Sequence, residues 1–126
     1  MKNTYKHMIE SYISAYNNFD IAGMVKSLDP KIVFENYTNG KLTHCTNGLK
    51  EFKKLAMTGF EYFSSRSQTV ISWDLSENYI LLNIKYRGVA KINFPTGVKA
   101  DEKIEFDGKS EFTFNENKII RIVDKS

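Results

Sequence analysis

Residues 103–114 read KIEFDGKSEFTF, and their alternation decides the fold. Ile104, Phe106, Gly108, Ser110, Phe112 and Phe114 fall on one face, while Lys103, Glu105, Asp107, Lys109, Glu111 and Thr113 fall on the other. A strand sends successive side chains to opposite sides, so one face meets a core and the other meets water. Gly108 on the inward face predicts a bend or a close approach of another backbone. Ser110 is the one polar side chain there. A buried hydroxyl left unpaired costs about 1–3 kcal/mol. Ser110 therefore needs a partner: backbone, water, another side chain or a ligand.

Working outward, Asn115-Glu116-Asn117 reads as a turn into a strand over Lys118–Val123. Pro95-Thr96-Gly97 separates the first strand from an earlier one, Tyr79–Ile92, and Ser76-Glu77-Asn78 separates that from Ser67–Leu75. Further upstream, Ile32–Thr38 is β-branched and aromatic, Asn39-Gly40 is a strong hairpin signal, and Lys41–Thr46 is the return strand. Tyr5, Met8, Ile9, Tyr12, Ile13, Tyr16 and Phe19 recur at helical spacing and predict a first helix, capped by Asn3 or Thr4. Asp20 reads as the N-cap of a short second helix carrying Ile21, Met24, Val25 and Leu28, which Asp29-Pro30 stops. Leu49, Phe52, Leu55, Ala56, Phe60 and Phe63 predict a third helix, with Asn47 as its cap and Ser64-Ser65 closing it. Helices early and strands late predict one α+β domain over residues 1–126. Its expected architecture is a cone-shaped barrel, a strongly curved and mainly antiparallel sheet wrapped around the N-terminal helices.

Composition narrows the chemistry. The 126 residues are 13% aromatic, and the single cysteine, Cys45, excludes an internal disulfide and a cysteine-based zinc site. Two distant histidines and scattered carboxylates show no ligand spacing, so no metal and no cofactor is expected. The start, MKNTYKHMIE, lacks the apolar core of a secretory signal, and no apolar stretch approaches the roughly 20 residues that span a bilayer. A cytoplasmic protein without membrane association is the expectation. The net charge of +3 rests mainly on lysine; only Arg66, Arg87 and Arg121 offer planar guanidinium contacts. Lys50, Lys53 and Lys54 are interrupted by Glu51 and read as a solvated helix face, so nucleic-acid binding is not expected.

Polar and aromatic side chains that share the inward faces are the candidate ligand contacts. Asn36 shares a face with Ile32 and Phe34, and Tyr12 and Tyr16 lie one turn apart in the first helix's stripe. Trp73 has the parity of Thr69 and Ile71, and Tyr86 that of Ile80, Leu82 and Ile84. The predicted pocket is therefore Tyr12, Tyr16, Phe34, Asn36, Trp73, Tyr86 and Ser110. Each also has a plainer reading: a packed core aromatic, for Asn36 an amide reaching solvent beside the turn, and for Ser110 a local bond to backbone. No catalytic residue is assigned. Glu35, Asp107 and Glu111 take the opposite faces, His44 lies near the mouth, His7 points round the helix from Tyr12, and Asp74 ends a strand.

The element order and the stretch YISAYNNFDIAGMVKSLDPKIVFEN (residues 12–36) resemble the SnoaL-like branch of the nuclear transport factor 2-like superfamily. Asn17, Asn18, Phe19 and Asp20 at the end of the first helix, Gly48 with Phe52 opening the third, and the closing EFTFNENKIIRI hairpin extend the likeness from about Tyr5 to Val123. The resemblance implies an α+β cone, often a homodimer through the outer sheet face, in a superfamily of isomerases, cyclases, dehydratases, epoxide hydrolases and non-enzymatic binders. Set against the ketosteroid isomerase branch, the oxyanion-hole tyrosine falls on Tyr12, the general-base aspartate on Asn36 and the protonated aspartic acid on Ser110. An amide cannot abstract a proton, so the resemblance does not extend to ketosteroid isomerase activity. The expected function is binding of a small hydrophobic or aromatic molecule. The alternatives are an isomerase, cyclase or hydrolase acting on such a ligand, and a non-catalytic dimeric module.

Overall fold

The protein is described as a computed structural model over residues 2–126, with side chains from Thr4 onward. In chain order its elements are α1 (Lys2–Asn17), α2 (Ile21–Val25), β1 (Leu28–Thr38), β2 (Lys41–Asn47), α3 (Leu49–Tyr62), β3 (Phe63–Leu75), β4 (Tyr79–Ala90), β5 (Lys103–Asn115) and β6 (Lys118–Lys125). The strands form one six-stranded sheet in the order β2-β1-β6-β5-β4-β3. Only β1 and β6 run parallel; the other pairs are antiparallel. The α+β class is as expected, but the sheet does not close: β2 and β3 remain edges. The third helix lies across the inner face, touching β1, β2 and β3.

Short-range chemistry explains most element ends. Asp20 caps α2, its carboxylate accepting from the Gly23 N–H at 3.0 Å. Asn39 and Gly40 both take positive φ, 53° and 78°, as a tight hairpin between β1 and β2 requires. Several boundaries differ from the sequence reading. Leu28 opens β1 instead of closing the second helix, and Pro30 lies in the stretch of β1 before its regular pairing begins at Val33. A missing N–H there breaks no ladder bond. Gly48, not Asn47, is the N-cap of α3. Ser64-Ser65 lies inside β3, which begins at Phe63 because the backbone is already extended there. The strand after the last turn runs two residues beyond Val123, to Lys125.

One face of the sheet carries the core. Ile80, Leu82, Phe112, Phe114, Ile119 and Ile122 pack against Tyr5, Ile9, Tyr12 and Ile13 of α1 and Phe52 of α3. The Tyr5 and Phe114 rings stack with centroids 4.0 Å apart. Among the described residues, no helix is long and apolar enough to cross a membrane.

Candidate functional site

Sheet register, more than sequence distance, assembles the polar part of the inner face. Asn36 of β1 is in register with Asp124 of β6, Asp124 with Ser110 of β5, and Ser110 with Leu82 of β4. His44 of β2 faces Asn36 on the other side. The next row is apolar: Phe34, Ile122, Phe112 and Ile80. A carboxyl therefore stands on the inner face, one step from the fully buried Ile122 and Phe112.

Ser110 finds its partner there. Its hydroxyl donates to Asp124 Oδ1 at 2.6 Å, the short distance of a charge-assisted bond. Burial pushes the Asp124 carboxyl up to about 6, against the pull of the Ser110 bond, which favours the ionised form. Gly108 also behaves as its sequence position predicts: a Cβ there would stand 2.9 Å from the Lys125 carbonyl oxygen. The missing side chain lets the end of β6 lie against β5, which sets Asp124 beside Ser110.

The tyrosines form the other half. Tyr12 is 6% exposed, its ring edge-on to Phe112 at 5.7 Å and tilted to Phe52 at 6.5 Å. Burial holds the Tyr12 phenol well above its ordinary range, and Asp124 and Tyr16 add to the shift while Arg66 opposes it. Tyr16 and Tyr86 share a hydroxyl–hydroxyl bond of 2.9 Å. Burial likewise raises both phenols. All three are proton donors at neutral pH and none is a base. Of Tyr12, Tyr16, Tyr86, Ser110 and Asp124, only Asp124 can gain or lose a proton near pH 6.

Of the seven predicted contacts, the structure brings Asn36 and Ser110 to either side of Asp124, joins Tyr16 to Tyr86, and sets Phe34 against Phe52, which touches Tyr12. Asn36 spends its amide on the hairpin, donating to Thr43 Oγ1 at 2.8 Å. Trp73 stands apart at the β3 edge, with Lys6 Nζ 5.0 Å from its ring centre. It does not share a face with Thr69 and Ile71: a bulge between Val70 and Ser72 sets Trp73 on the inner face, opposite the buried Leu82, while Ile71 is 63% exposed.

Two residues escaped the sequence reading. Asp124 follows Val123, the last residue of the strand the sequence predicts; carrying the Ile122 parity two residues further places it on the inner face. Arg66, one of three arginines in the sequence, is 7% exposed beneath α1 and α3. Nothing local announces this, because its flanks are Ser64, Ser65, Ser67 and Gln68. Glu35 and Glu111 do face outward, where they pair with Arg121 and Lys125 at 2.7 and 2.6 Å beside a cleft of about 660 Å³. Among the described residues, no three metal-ligating side chains gather.

Comparison with solved structures places this geometry in a known architecture. A candidate polyketide cyclase from Xanthomonas campestris pv. campestris superposes with a TM-score of 0.84 at 13% identity, covering 99% of this chain and 91% of that one. A candidate SnoaL-like polyketide cyclase from Jannaschia sp. CCS1 gives 0.83 at 10% identity, covering 98% and 85%. An NTF2-like protein of unknown function from Burkholderia pseudomallei gives 0.79 at 14% identity, covering 98% and 90%. The fold is thus the nuclear transport factor 2-like cone that the sequence resembles. No protein-family model matches the chain, and no curated protein matches its sequence.

Proposed function

We propose that this protein binds a small hydrophobic or aromatic molecule on the inner face of its sheet and moves a proton on it with Asp124. The observation that carries the reading is the placement of Asp124: a carboxyl on the inner face, one step from an apolar row, fixed by Ser110 at 2.6 Å and pushed up to about 6 by burial. A base poised near the working pH combines a populated ionised form with proton affinity. Tyr12 supplies a neutral phenol that donates to an oxygen developing negative charge. The ketosteroid isomerase arrangement puts its base at the Asn36 position; here the base comes from the neighbouring strand, in register with Asn36. Fold neighbours described as candidate cyclases fit such chemistry without specifying the substrate.

The test uses 2-tetralone in D₂O, an aromatic ketone with exchangeable protons beside its carbonyl. Exchange catalysed by the protein should rise through about pH 6 as Asp124 ionises and vanish in Asp124→Asn. Exchange no faster than in buffer removes the proton-transfer step. Binding is then judged separately, by titrating 2-naphthol and following amide signals of Asn36, Ser110 and Asp124. Unmoved signals overturn the inner-face site itself. We also propose that the protein works as a homodimer joined through its outer sheet face.

A further inference from the structure

The inner row does not account for the charge buried at the far end of the helices. Arg66 enters from β3, and its Nε donates to the carbonyl of Tyr16 in the last turn of α1 at 3.0 Å. Its guanidinium lies 3.6 Å from the Tyr16 ring centre, 4.6 Å from Phe19 and 5.1 Å from Phe60. Nη2 is shut off from water with no acceptor among the described residues, and no carboxylate there pairs with Arg66. The helix-end carbonyl and the ring faces offset part of the charge. The remainder is a positive field that apolar surroundings screen poorly.

Two of those rings are also walls. Phe19 and Phe60 meet edge to face at 5.2 Å and, with Phe63, Ser64 and Lys91, line a cleft of about 360 Å³. Arg66 thus stands one ring's thickness behind the wall. Lys91 brings a second cation to the rim, again without a carboxylate partner among the described residues. No acidic side chain lines the cleft. Aromatic walls and two cations without a carboxylate partner define one complementary chemistry.

We infer that this cleft is a second ligand site, separate from Asp124, and that it takes a small planar aromatic carboxylate. The ring packs against Phe19, Phe60 and Phe63, and the carboxylate meets the Lys91 ammonium within the field of Arg66. A neutral aromatic gains only the ring contacts. Its volume suits one or two fused rings.

The probe is 1-naphthoate, with neutral naphthalene-1-methanol as control, followed by two-dimensional amide NMR. Naphthoate should give saturable shifts at Phe60, Ser64 and Lys91, unchanged in Asp124→Asn. Lys91→Glu, at an exposed loop position that leaves the fold intact, should weaken naphthoate at least fivefold and leave the alcohol as it was. A smaller loss, an alcohol that binds as tightly as the acid, or shifts confined to Asn36, Ser110 and Asp124 overturns the second site. So does the absence of saturable shifts.

Discussion

Asp124→Asn separates what this carboxyl does to stability from what it does to a ligand. Its proton is held more tightly in the folded state, at about 6, than in an unfolded chain near 3.9. The folded protein therefore binds more protons between those values, and stability falls as pH rises from about 4 to 6. Above pH 6 the loss is complete and amounts to up to about 3 kcal/mol. An asparagine keeps an acceptor for the Ser110 hydroxyl and carries no charge. At pH 8 the variant should be more stable than the parent by about 1–3 kcal/mol, and the difference between the two urea midpoints should grow as pH rises from about 4 to 6. Equal midpoints for the two proteins at pH 8 would show that the carboxyl is not held up by burial. Ser110→Ala acts in the opposite sense on titration. It removes the bond that favours the ionised form, so the Asp124 carboxyl signal in a ¹³C titration should move to higher pH. A signal that stays in place would mean that Ser110 does not hold the carboxyl.

At the scale of elements, the contact between β5 and β6 sets the geometry just described. A methyl group at Gly108 would meet the Lys125 carbonyl oxygen at 2.9 Å, and a backbone atom cannot swing aside as a long side chain can. Gly108→Ala should lower stability by about 1–3 kcal/mol and lift the end of β6 off β5. The Lys109, Ser110 and Asp124 amides should then exchange faster with solvent, with β3 and β4 unaffected; unchanged exchange would mean the two strands part without cost. Gly108 was legible in the sequence because β5 alternates without interruption for twelve residues. Where alternation breaks, faces were lost. The bulge at Ile71 put Trp73 on the face opposite to the one counted from Thr69, and strand ends carry no signal in a two-residue period, so Asp124 fell outside the strand. Arg66 was illegible for a different reason. Its burial comes from Tyr16, Phe19 and Phe60, contributed by α1, its C-terminal turn and α3. No pattern around residue 66 encodes them.

For the molecule as a whole, covering one face of the sheet with helices leaves the other face bare. The chain exposes 7604 Å², about a tenth more than a compact protein of its mass, for which roughly 6,900 Å² is expected. The excess is understandable in an open sheet with a single helical layer. Half-buried Tyr37, Tyr79 and Leu81 lie on the outer face near the Glu35–Arg121 and Glu111–Lys125 pairs, with Leu42 51% and Ile71 63% exposed. Both signs of charge on one surface suit a two-fold contact, in which the same patch meets itself and each acidic group can face a basic one. A stable interface of this kind buries about 1,600 Å² in total. Sedimentation velocity at 10–50 micromolar, a range of order of magnitude chosen for a standard-sized interface, should give twice the monomer mass. Ile71→Lys adds a charge at a bulged position without a register partner, so the monomer keeps its fold while the dimer weakens by about tenfold or more. A wild-type protein that sediments as a monomer across this range would exclude the outer face as an interface. A dimer unaffected by Ile71→Lys would move that interface away from the β3 edge, toward the β1–β6 half of the same face.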